Sequence, residues 1–451
     1  MPLTVGHDAP ALLERRAVDG RIASVTVEID PATDVAAAVL AARRPSDRWF
    51  CFEQPDRDGY AVCGLGAAAV VEASGPDRFA SVAEECRRLG RGAEYDRLDL
   101  PGAGPVFVGG FSFAPSGGRT PEWESFAPAQ MVLPEISFAR FGGRAVMTAT
   151  AAGDPASALA RLEEIRPATM PLIDPDPAVS PRVVSEAPPE HFEEAVRRAV
   201  DRIGVGELEK IVLARIVRVH GGRAHDPGAL FGALREVFPS CYSFCVGTPE
   251  AAFVGASPEL LVRRDGARAQ TVALAGTTRR SADPAVDDHL GEQLLTSAKN
   301  RAEQAIVAQR IERTLEPISV WVTVADRPVL VKVHNVQHLG TPIRAQLAEP
   351  LPVLELAGRL HPTPAVGGEP RDEAARLIPA LEGIDRGWYA GAIGWTDLEE
   401  DGELCVAIRS ALVREEVAHL FAGNGIVADS DPAEELAETE AKLQALLPLL
   451  A

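Results

Sequence analysis

Residues 210–219 (KIVLARIVRV) constrain the fold more than any other stretch of the chain. Apolar and β-branched residues run through this segment almost without alternation, which predicts a β-strand covered on both faces. Such a strand requires a large sheet with further layers packed against it. Lys210 opens the strand directly after a glycine-containing turn, and two interpretations of it stay open. The amine either reaches solvent from the strand end or is desolvated and able to act as a general base.

A hairpin pattern follows further along the chain. Residues 251–264 are predicted to form two strands around a tight turn, and Asp265-Gly266 then leads into a third strand at 270–274. Glu259 lies in the first turn, where one strand ends and the next begins. It is either a solvated turn residue or a carboxyl group at the edge of a site.

Carboxylates also occur on two predicted helices. Residues 287–315 have helical periodicity and are predicted to form one long helix that carries Glu303. In the last helix, at about 100° per residue, Glu435, Glu438 and Lys442 fall within an arc of roughly 60°. This row is either a solvated edge with an ordinary ion pair, or a cation site whose charge is balanced by a substrate anion.

The rest of the second half alternates between predicted strands and tight loops. Strands are predicted at 329–336, 389–395, 404–409 and 417–422. His338, which follows the first of these, is either a hydrogen-bonded core histidine or a site residue. Gly423 and Gly425, which follow the last, allow the backbone to approach an anion closely.

The first 170 residues contain predicted strands and helices but no catalytic motif. The segment 171–189 is rich in proline and polar residues, which is typical of a surface connection. It is the best candidate for a boundary, and it separates an N-terminal part (1–185) from a C-terminal region (190–451).

Charge and composition exclude several classes of partner. A net charge of −20 argues against binding nucleic acid or an anionic membrane, but a few convergent cationic groups can still bind a small anion. The six cysteines have no metal-site or disulfide spacing. No apolar run reaches about 18 residues, and the N-terminus has no signal-peptide pattern. A cytoplasmic protein is therefore expected.

Ten separated motifs resemble those of the chorismate-utilising enzymes, which include isochorismate, salicylate, anthranilate and aminodeoxychorismate synthases. They are EKIVLAR (209–215), GASPELL (255–261), LAGTT (274–278), SAKNRAEQAIV (297–307), VQHLGT (336–341), LHPTPAVGG (360–368), YAGAIGW (389–395), VAIRS (406–410), AGNGIV (422–427) and SDPAEELAETEAK (430–442). The resemblance covers residues 190–445, and the N-terminal third has no motif of its own.

The resemblance implies an α+β fold, in which a large antiparallel β-sandwich core has helices packed outside. The N-terminal part would contribute strands and helices to that core, so one structural domain is expected. The resemblance also implies chorismate as substrate, Mg²⁺ as cofactor and no glutaminase subunit, and we expect a monomer.

The resemblance further implies a role for each matching residue. Lys210 and Glu259 would be the general base and general acid, and Glu303, Glu435 and Glu438 would hold Mg²⁺, with Glu435 the one that can act through water. Substrate would contact Gly276, Thr277, His338, Ala365, Tyr389, Ile408, Arg409, Gly423, Gly425 and Lys442.

Within the family, Lys210 matches the members that use water as nucleophile, whereas ammonia-using members usually have glutamine there. Ala275 stands where aminodeoxychorismate enzymes usually have a nucleophilic lysine. Ala365 and Ile408 resemble isochorismate synthase, so the resemblance implies conversion of chorismate to isochorismate, which feeds menaquinone, siderophore and salicylate pathways. Salicylate formation with loss of pyruvate is the alternative.

The proposed chemistry sets two conditions. For water to add at C2 and the C4 hydroxyl to leave, Lys210 must be neutral and Glu259 protonated, so burial should raise the pKa of Glu259.

Three residues depart from the family pattern. Gln304 replaces a histidine, Asn424 replaces a small residue, and Asn300 is an amide where some members have a carboxylate. A non-catalytic subunit that binds chorismate-like ligands is a further alternative, which the intact set of acidic and basic residues disfavours.

Overall fold

The computed structural model describes residues 8–17, 20–174 and 180–450 and confirms the predicted α+β class. The helices are α1 (Ala9–Arg16), α2 (Val35–Ala42), α3 (Arg78–Gly90), α4 (Ala156–Glu164), α5 (Pro189–Gly204), α6 (Pro227–Val237), α7 (Pro284–Thr296), α8 (Ala298–Leu315), α9 (Val353–Leu360), α10 (Arg371–Glu382), α11 (Pro432–Leu443) and α12 (Leu447–Leu450).

The strands are short and numerous. They are β1 (Ile22–Ile29), β2 (Trp49–Gln54), β3 (Tyr60–Leu65), β4 (Ala69–Ala73), β5 (Val106–Phe111), β6 (Ala129–Leu133), β7 (Ile136–Phe141), β8 (Arg144–Ala152), β9 (Arg182–Ser185), β10 (Lys210–His220), β11 (Tyr242–Gly247), β12 (Ala252–Ser257), β13 (Leu260–Asp265), β14 (Arg268–Arg279), β15 (Ser319–Val324), β16 (Val329–Lys332), β17 (Val336–Leu347), β18 (Gly368–Glu369), β19 (Ala392–Asp397), β20 (Gly402–Val406), β21 (Ser410–Arg414) and β22 (Val417–Ile426).

The strands form two antiparallel sheets. The first has the order β1-β8-β7-β3-β2-β11-β12-β21-β22-β10-β18, with β9 also paired to β10. The second has the order β15-β17-β14-β13-β20-β19-β5-β6-β4, with β16 also paired to β17. In each sheet, strands β1 to β8 meet the strands after residue 180 at one seam, β2 against β11 and β19 against β5.

The main hydrophobic core contains side chains from both sheets, including Phe52 of the first and Phe107 of the second. A second core, with Val39 of α2 and Phe231 of α6, lies between the first sheet and helices outside it. The β10 strand is buried along almost its whole length, as its sequence predicts. All six cysteines are buried and free.

The predicted long helix over 287–315 is wrong as a single element. Ser297 has an extended backbone, with φ −61° and ψ 119°, and separates α7 from α8. Its hydroxyl accepts a hydrogen bond from the backbone N–H of Asn300, which makes it the N-cap of α8. The SAKN motif is therefore the first turn of a new helix.

Several strand boundaries also differ from the prediction, and β22 continues to Ile426, so Gly423 and Gly425 lie within it and not after it. The strand predicted at 329–336 is β16 followed by a turn, and the strand predicted at 389–395 begins only at Ala392. The strand predicted at 404–409 ends at Val406, and Arg409 lies in a turn with φ 52°. The boundary segment predicted at 171–189 lies in part, at 175–179, outside the described residues.

Nowhere in the described ranges does a helix combine the length and apolar character needed to cross a membrane.

Candidate active site

One cavity brings together almost every residue that the sequence predicted for the site. Its wall includes Glu259, Gly276, Thr277, Glu303, His338, Ala365, Tyr389, Ile408, Arg409, Gly423, Gly425, Glu435, Glu438 and Lys442. Lys210 lies directly behind this wall, because its Nζ is 2.9 Å from Glu303 Oε1. Besides the strand that begins at Lys210, nine separate segments of the second half of the chain thus converge on one site.

Lys210 is fully buried, so the interpretation as a solvated strand end is wrong. Its Nζ lies 2.9 Å from Glu303 Oε1 without the alignment of a hydrogen bond. Gly425 on the neighbouring strand makes room for this pair. A Cβ at Gly425 would lie 2.7 Å from Lys210 Cε and would collide with Glu303.

Glu259 is 3% exposed, so it is not a solvated turn residue. Its turn is covered by β20, where the N–H of Val406 donates to the Glu259 carbonyl at 3.0 Å. Burial raises the pKa of the Glu259 carboxyl to about 8, although the positive charges of Lys210 and Arg409 oppose the shift. The carboxyl group is therefore largely protonated at neutral pH.

A buried histidine, His338, orients Arg409 in the cavity. The pKa of His338 is well below its usual range because the ring is buried and Arg409 and Lys442 are near, so the imidazole is neutral. His338 Nδ1 lies 3.2 Å from the Gly276 carbonyl, to which it can donate. Nε2 is then free to accept from Arg409 Nη2 at 3.1 Å. His338 is thus both hydrogen-bonded and part of the cavity.

The first turn of α8 supplies a lysine that the sequence did not single out for the site. Lys299 lines the cavity, and its Nζ is 3.2 Å from Glu435 Oε1. Burial alone would lower the pKa of Lys299, but the charge of Glu435, with Glu303 and Glu438, outweighs it and raises the pKa. Its spacing of four residues from Glu303 puts both on one helix face, which was the available sequence signal.

Both oxygens of Glu435 have partners. Oε1 accepts from Ser430 at 2.7 Å and from Lys299, and Oε2 accepts from Asn424 Nδ2 at 3.1 Å. Burial and then repulsion from Glu438 raise the pKa of Glu435. Glu435 is thus buried, with hydrogen bonds to both of its oxygens, and it is not part of a solvated helix edge.

Lys442 and Glu438 lie one turn apart on α11. Lys442 Nζ contacts Glu438 Oε1 at 2.7 Å, the Gly423 carbonyl at 2.9 Å and Asn424 Oδ1 at 2.7 Å. Burial acts to raise the pKa of Glu438, but Lys442 outweighs burial and the pKa is lowered. Glu438 therefore stays ionised, with its side chain 34% exposed.

The remaining wall is apolar. Tyr389 stacks on Phe421 with ring centroids 5.0 Å apart, and Ala365 and Ile408 lie beside them. Such a surface suits the flat face of a small ring between the charged groups. Phe421 lies on β22 next to the glycines, and no pattern in the sequence distinguished it from core residues.

A metal ion fits the donor chemistry of the cavity. Glu303, Glu435 and Glu438 are hard oxygen donors of the kind that Mg²⁺ prefers, and they line the same cavity. Each of these three carboxylates faces a different lysine. Within the described part of the chain, no three histidine, cysteine or acidic side chains gather closely enough to hold a metal. Metal binding at these carboxylates would thus have to displace lysine ammonium groups.

Comparisons with known proteins agree on one family. The profile of the chorismate binding enzyme family matches residues 10–451. The chain is 38% identical over 438 residues to the salicylate biosynthesis isochorismate synthase of Pseudomonas aeruginosa, a match that covers 94% of this chain and 89% of that protein. It is 33% identical over 424 residues to the isochorismate synthase MenF of Bacillus subtilis, covering 91% and 89%.

The solved structure of MenF, the menaquinone-specific isochorismate synthase from Escherichia coli, superposes with a TM-score of 0.82 at 27% identity and covers 98% of this chain and 99% of that one. The family profile spans nearly the whole chain, including the N-terminal third that carries no motif. The chain therefore belongs to the chorismate binding enzyme family.

Proposed function

We propose that the protein is an isochorismate synthase, a Mg²⁺-dependent isomerase that converts chorismate to isochorismate. The relatives with matches over most of the chain bear this name. The observation that carries the proposal is the buried pair of Lys210 and Glu259 at one cavity, with Glu259 largely protonated at neutral pH. A buried amine and a protonated carboxyl group are what water addition with loss of a hydroxyl requires.

In the proposed reaction, a water molecule loses a proton to the neutral amine of Lys210 and forms a bond to C2 of chorismate. The double bonds of the ring shift, and the bond between C4 and its hydroxyl breaks. Glu259 donates its proton to that hydroxyl, which leaves as water. One water enters and one leaves, so the reaction is an isomerisation.

Chorismate carries two carboxylates, and the cavity offers two cations to bind them. Arg409 presents a planar guanidinium that can contact a carboxylate through two N–H groups, and His338 holds it in place. Lys442 offers an ammonium in the same cavity. The apolar surface of Tyr389 and Ile408 would lie against the ring.

We assign Glu303 and Glu438 as the carboxylates that hold Mg²⁺ directly. Both oxygens of Glu435 already have protein partners, so Glu435 would act through a water molecule or through its neighbours. When bound, the ion supplies positive charge that binds a substrate carboxylate and withdraws electron density from the ring. We further propose that the enzyme works in the cytoplasm as a monomer without a glutaminase subunit.

The test is incubation of the purified protein with chorismate and Mg²⁺, followed by chromatographic separation of the products. We expect isochorismate, and we expect EDTA to abolish its formation. Salicylate with pyruvate would instead support the alternative, and anthranilate in the presence of ammonia would contradict the role of Lys210. The Glu259→Gln variant is the control, and it should lose turnover by about two orders of magnitude or more.

A further inference from the structure

Asn424 connects two charged groups of the cavity with one side chain. It lies on β22 and is 1% exposed. Its Oδ1 accepts a hydrogen bond from Lys442 Nζ at 2.7 Å. Its Nδ2 donates to the Glu435 carbonyl at 2.6 Å and to Glu435 Oε2 at 3.1 Å. The position is one of the departures from the family pattern, where a small residue would make none of these contacts.

Lys442 depends on this contact for a fixed position. An ammonium has three donors, and those of Lys442 go to Glu438, to the Gly423 carbonyl and to Asn424. A cation on Glu438 would compete for the first partner, whereas the other two are neutral. Asn424 and the Gly423 carbonyl would then be the acceptors that keep the ammonium at the cavity.

Glu435 depends on the same amide. Glu435 is 3% exposed, so its oxygens depend on donors from the protein. Asn424 Nδ2 is the donor to Oε2, while Ser430 and Lys299 serve Oε1. A small residue at position 424 would leave Oε2 of this carboxylate without a protein donor.

From these contacts we propose that Asn424 is a positioning residue, which ties the Lys442 ammonium to the Glu435 carboxylate and so fixes the cationic and acidic sides of the cavity relative to each other. It does not touch the reacting atoms. It acts by holding the Lys442 ammonium in position when Glu438 binds a cation and no longer pairs with Lys442.

The test uses two variants and one matched control. Asn424→Leu keeps the approximate shape of the side chain and removes all three of its hydrogen bonds, and Asn424→Ala also removes the bulk. The control is Gln130→Ala, since Gln130 is a buried amide with the same pattern of partners outside the site. Its Oε1 accepts from Arg48 at 2.8 Å, and its Nε2 donates to Glu72 at 2.5 Å.

The first readout is the acetylation rate of Lys442 by acetic anhydride, followed by peptide mass spectrometry and compared with Lys332 of the same molecule. Loss of one acceptor of a charged donor should raise the relative rate about tenfold in the Leu and Ala variants. Gln130→Ala should match the wild type. An unchanged Lys442 rate in Asn424→Leu would overturn the proposal, because the amide would then not hold the ammonium. Where Leu impairs folding, the Ala variant decides in the same way.

The second readout rests on the proposed function. Both Asn424 variants should raise the KM for chorismate about tenfold and leave kcat nearly unchanged, since Lys442 contributes uniform binding of the substrate. A fall in kcat with unchanged KM would contradict the assigned role. Wild-type protein without chorismate turnover would refute the proposed function instead, and the acetylation rate would still decide the role of Asn424.

Discussion

Two clusters of buried charge in this molecule are built from different cations. Glu403, on β20 and 1% exposed, accepts hydrogen bonds from Arg57 Nη1 at 2.8 Å on both oxygens and from Arg263 Nη2 at 2.6 Å. The cavity carboxylates Glu303 and Glu438 each face a lysine instead. One cluster uses planar, multidentate donors, and the other uses point charges on flexible stems.

We interpret the arginine cluster at Glu403 as structural and the lysine pairs of the cavity as ion pairs that can exchange partners. Arg57 lies between β2 and β3, whereas Arg263 and Glu403 belong to the second sheet, so the Glu403 cluster links the N-terminal strands to the rest. The cluster lies outside the proposed site, so we expect its ion pairs to keep the same partners. In the cavity, by contrast, a substrate anion or a metal ion can take over either member of a lysine–glutamate pair. We therefore expect the first cluster to determine stability and the second to determine turnover.

The largest effect should follow from Lys210→Ala. Removal of the proposed general base should lower kcat by about two to four orders of magnitude, measured as isochorismate formation. The substitution also leaves the Glu303 carboxylate, 12% exposed at the cavity wall, without its lysine, so circular dichroism should first establish that the variant is folded. Lys332→Ala, which removes a surface lysine, is the control and should keep wild-type activity. A Lys210→Ala enzyme with the wild-type rate would remove the distinction between the two clusters.

Glu403→Ala should have the largest effect on stability. It leaves two half-buried guanidinium groups, 22% and 26% exposed, without their shared carboxylate, which costs up to about 3–5 kcal/mol in the free energy of unfolding. Urea unfolding measures this change, and the protein that remains folded should keep its kcat. Glu85→Ala removes an exposed partner of Arg88 and should show no measurable change. A loss in Glu403→Ala no larger than that of Glu85→Ala would mean that the cluster is not structural.

The carboxyl group of Glu259 should make both activity and stability depend on pH. If Glu259 is the general acid, as we propose, its pKa of about 8 should make kcat/KM fall about tenfold per pH unit above pH 8. Its folded pKa is raised above the usual 4.5, so its contribution to stability is present below pH 4.5 and is lost as the pH rises through 8.

Glu259→Gln cannot ionise and should therefore become more stable than the wild type as the pH rises from 5 to 9, by on the order of a few kcal/mol. Thermal unfolding across this range measures the difference. Parallel pH profiles of the two proteins would show that the buried carboxyl group does not titrate near 8.

The smallest effect on stability should come from Glu438→Ala. Lys442 keeps the Gly423 carbonyl and Asn424 as acceptors, so the free energy of unfolding should change by less than about 1 kcal/mol. Turnover should nevertheless be lost with the proposed metal ligand. Destabilisation as large as that of Glu403→Ala would place this lysine pair among the structural ones.

The sequence predicted the elements of the cavity better than their contacts. The strand that begins at Lys210 follows from its continuous apolar pattern, whereas the α+β class was implied by the family resemblance. The break at Ser297 was missed although a serine N-cap is a local signal, because the helical periodicity on both sides is nearly continuous.

Contacts between distant segments lie beyond such patterns. The turn at Glu259 is buried because Val406 and its neighbours cover it, and no feature near residue 259 encodes that. The pairing of Lys210 with Glu303 likewise depends on the register of β10 against β22 and on the space at Gly425. Individual residues of the site were identified by resemblance, but their pairing into lysine–glutamate contacts required the structure.

The two seams between early and late strands have a consequence for the growing chain. The strands β2 and β5 are largely buried inside their sheets in the finished protein, yet their partners β11 and β19 are synthesised much later. Roughly 190 residues separate β2 from β11, which at 5–20 residues per second takes about 10–40 s. During that interval two apolar sheet edges emerge from the ribosome without their neighbours, and they are the surfaces that a chaperone must shield from aggregation.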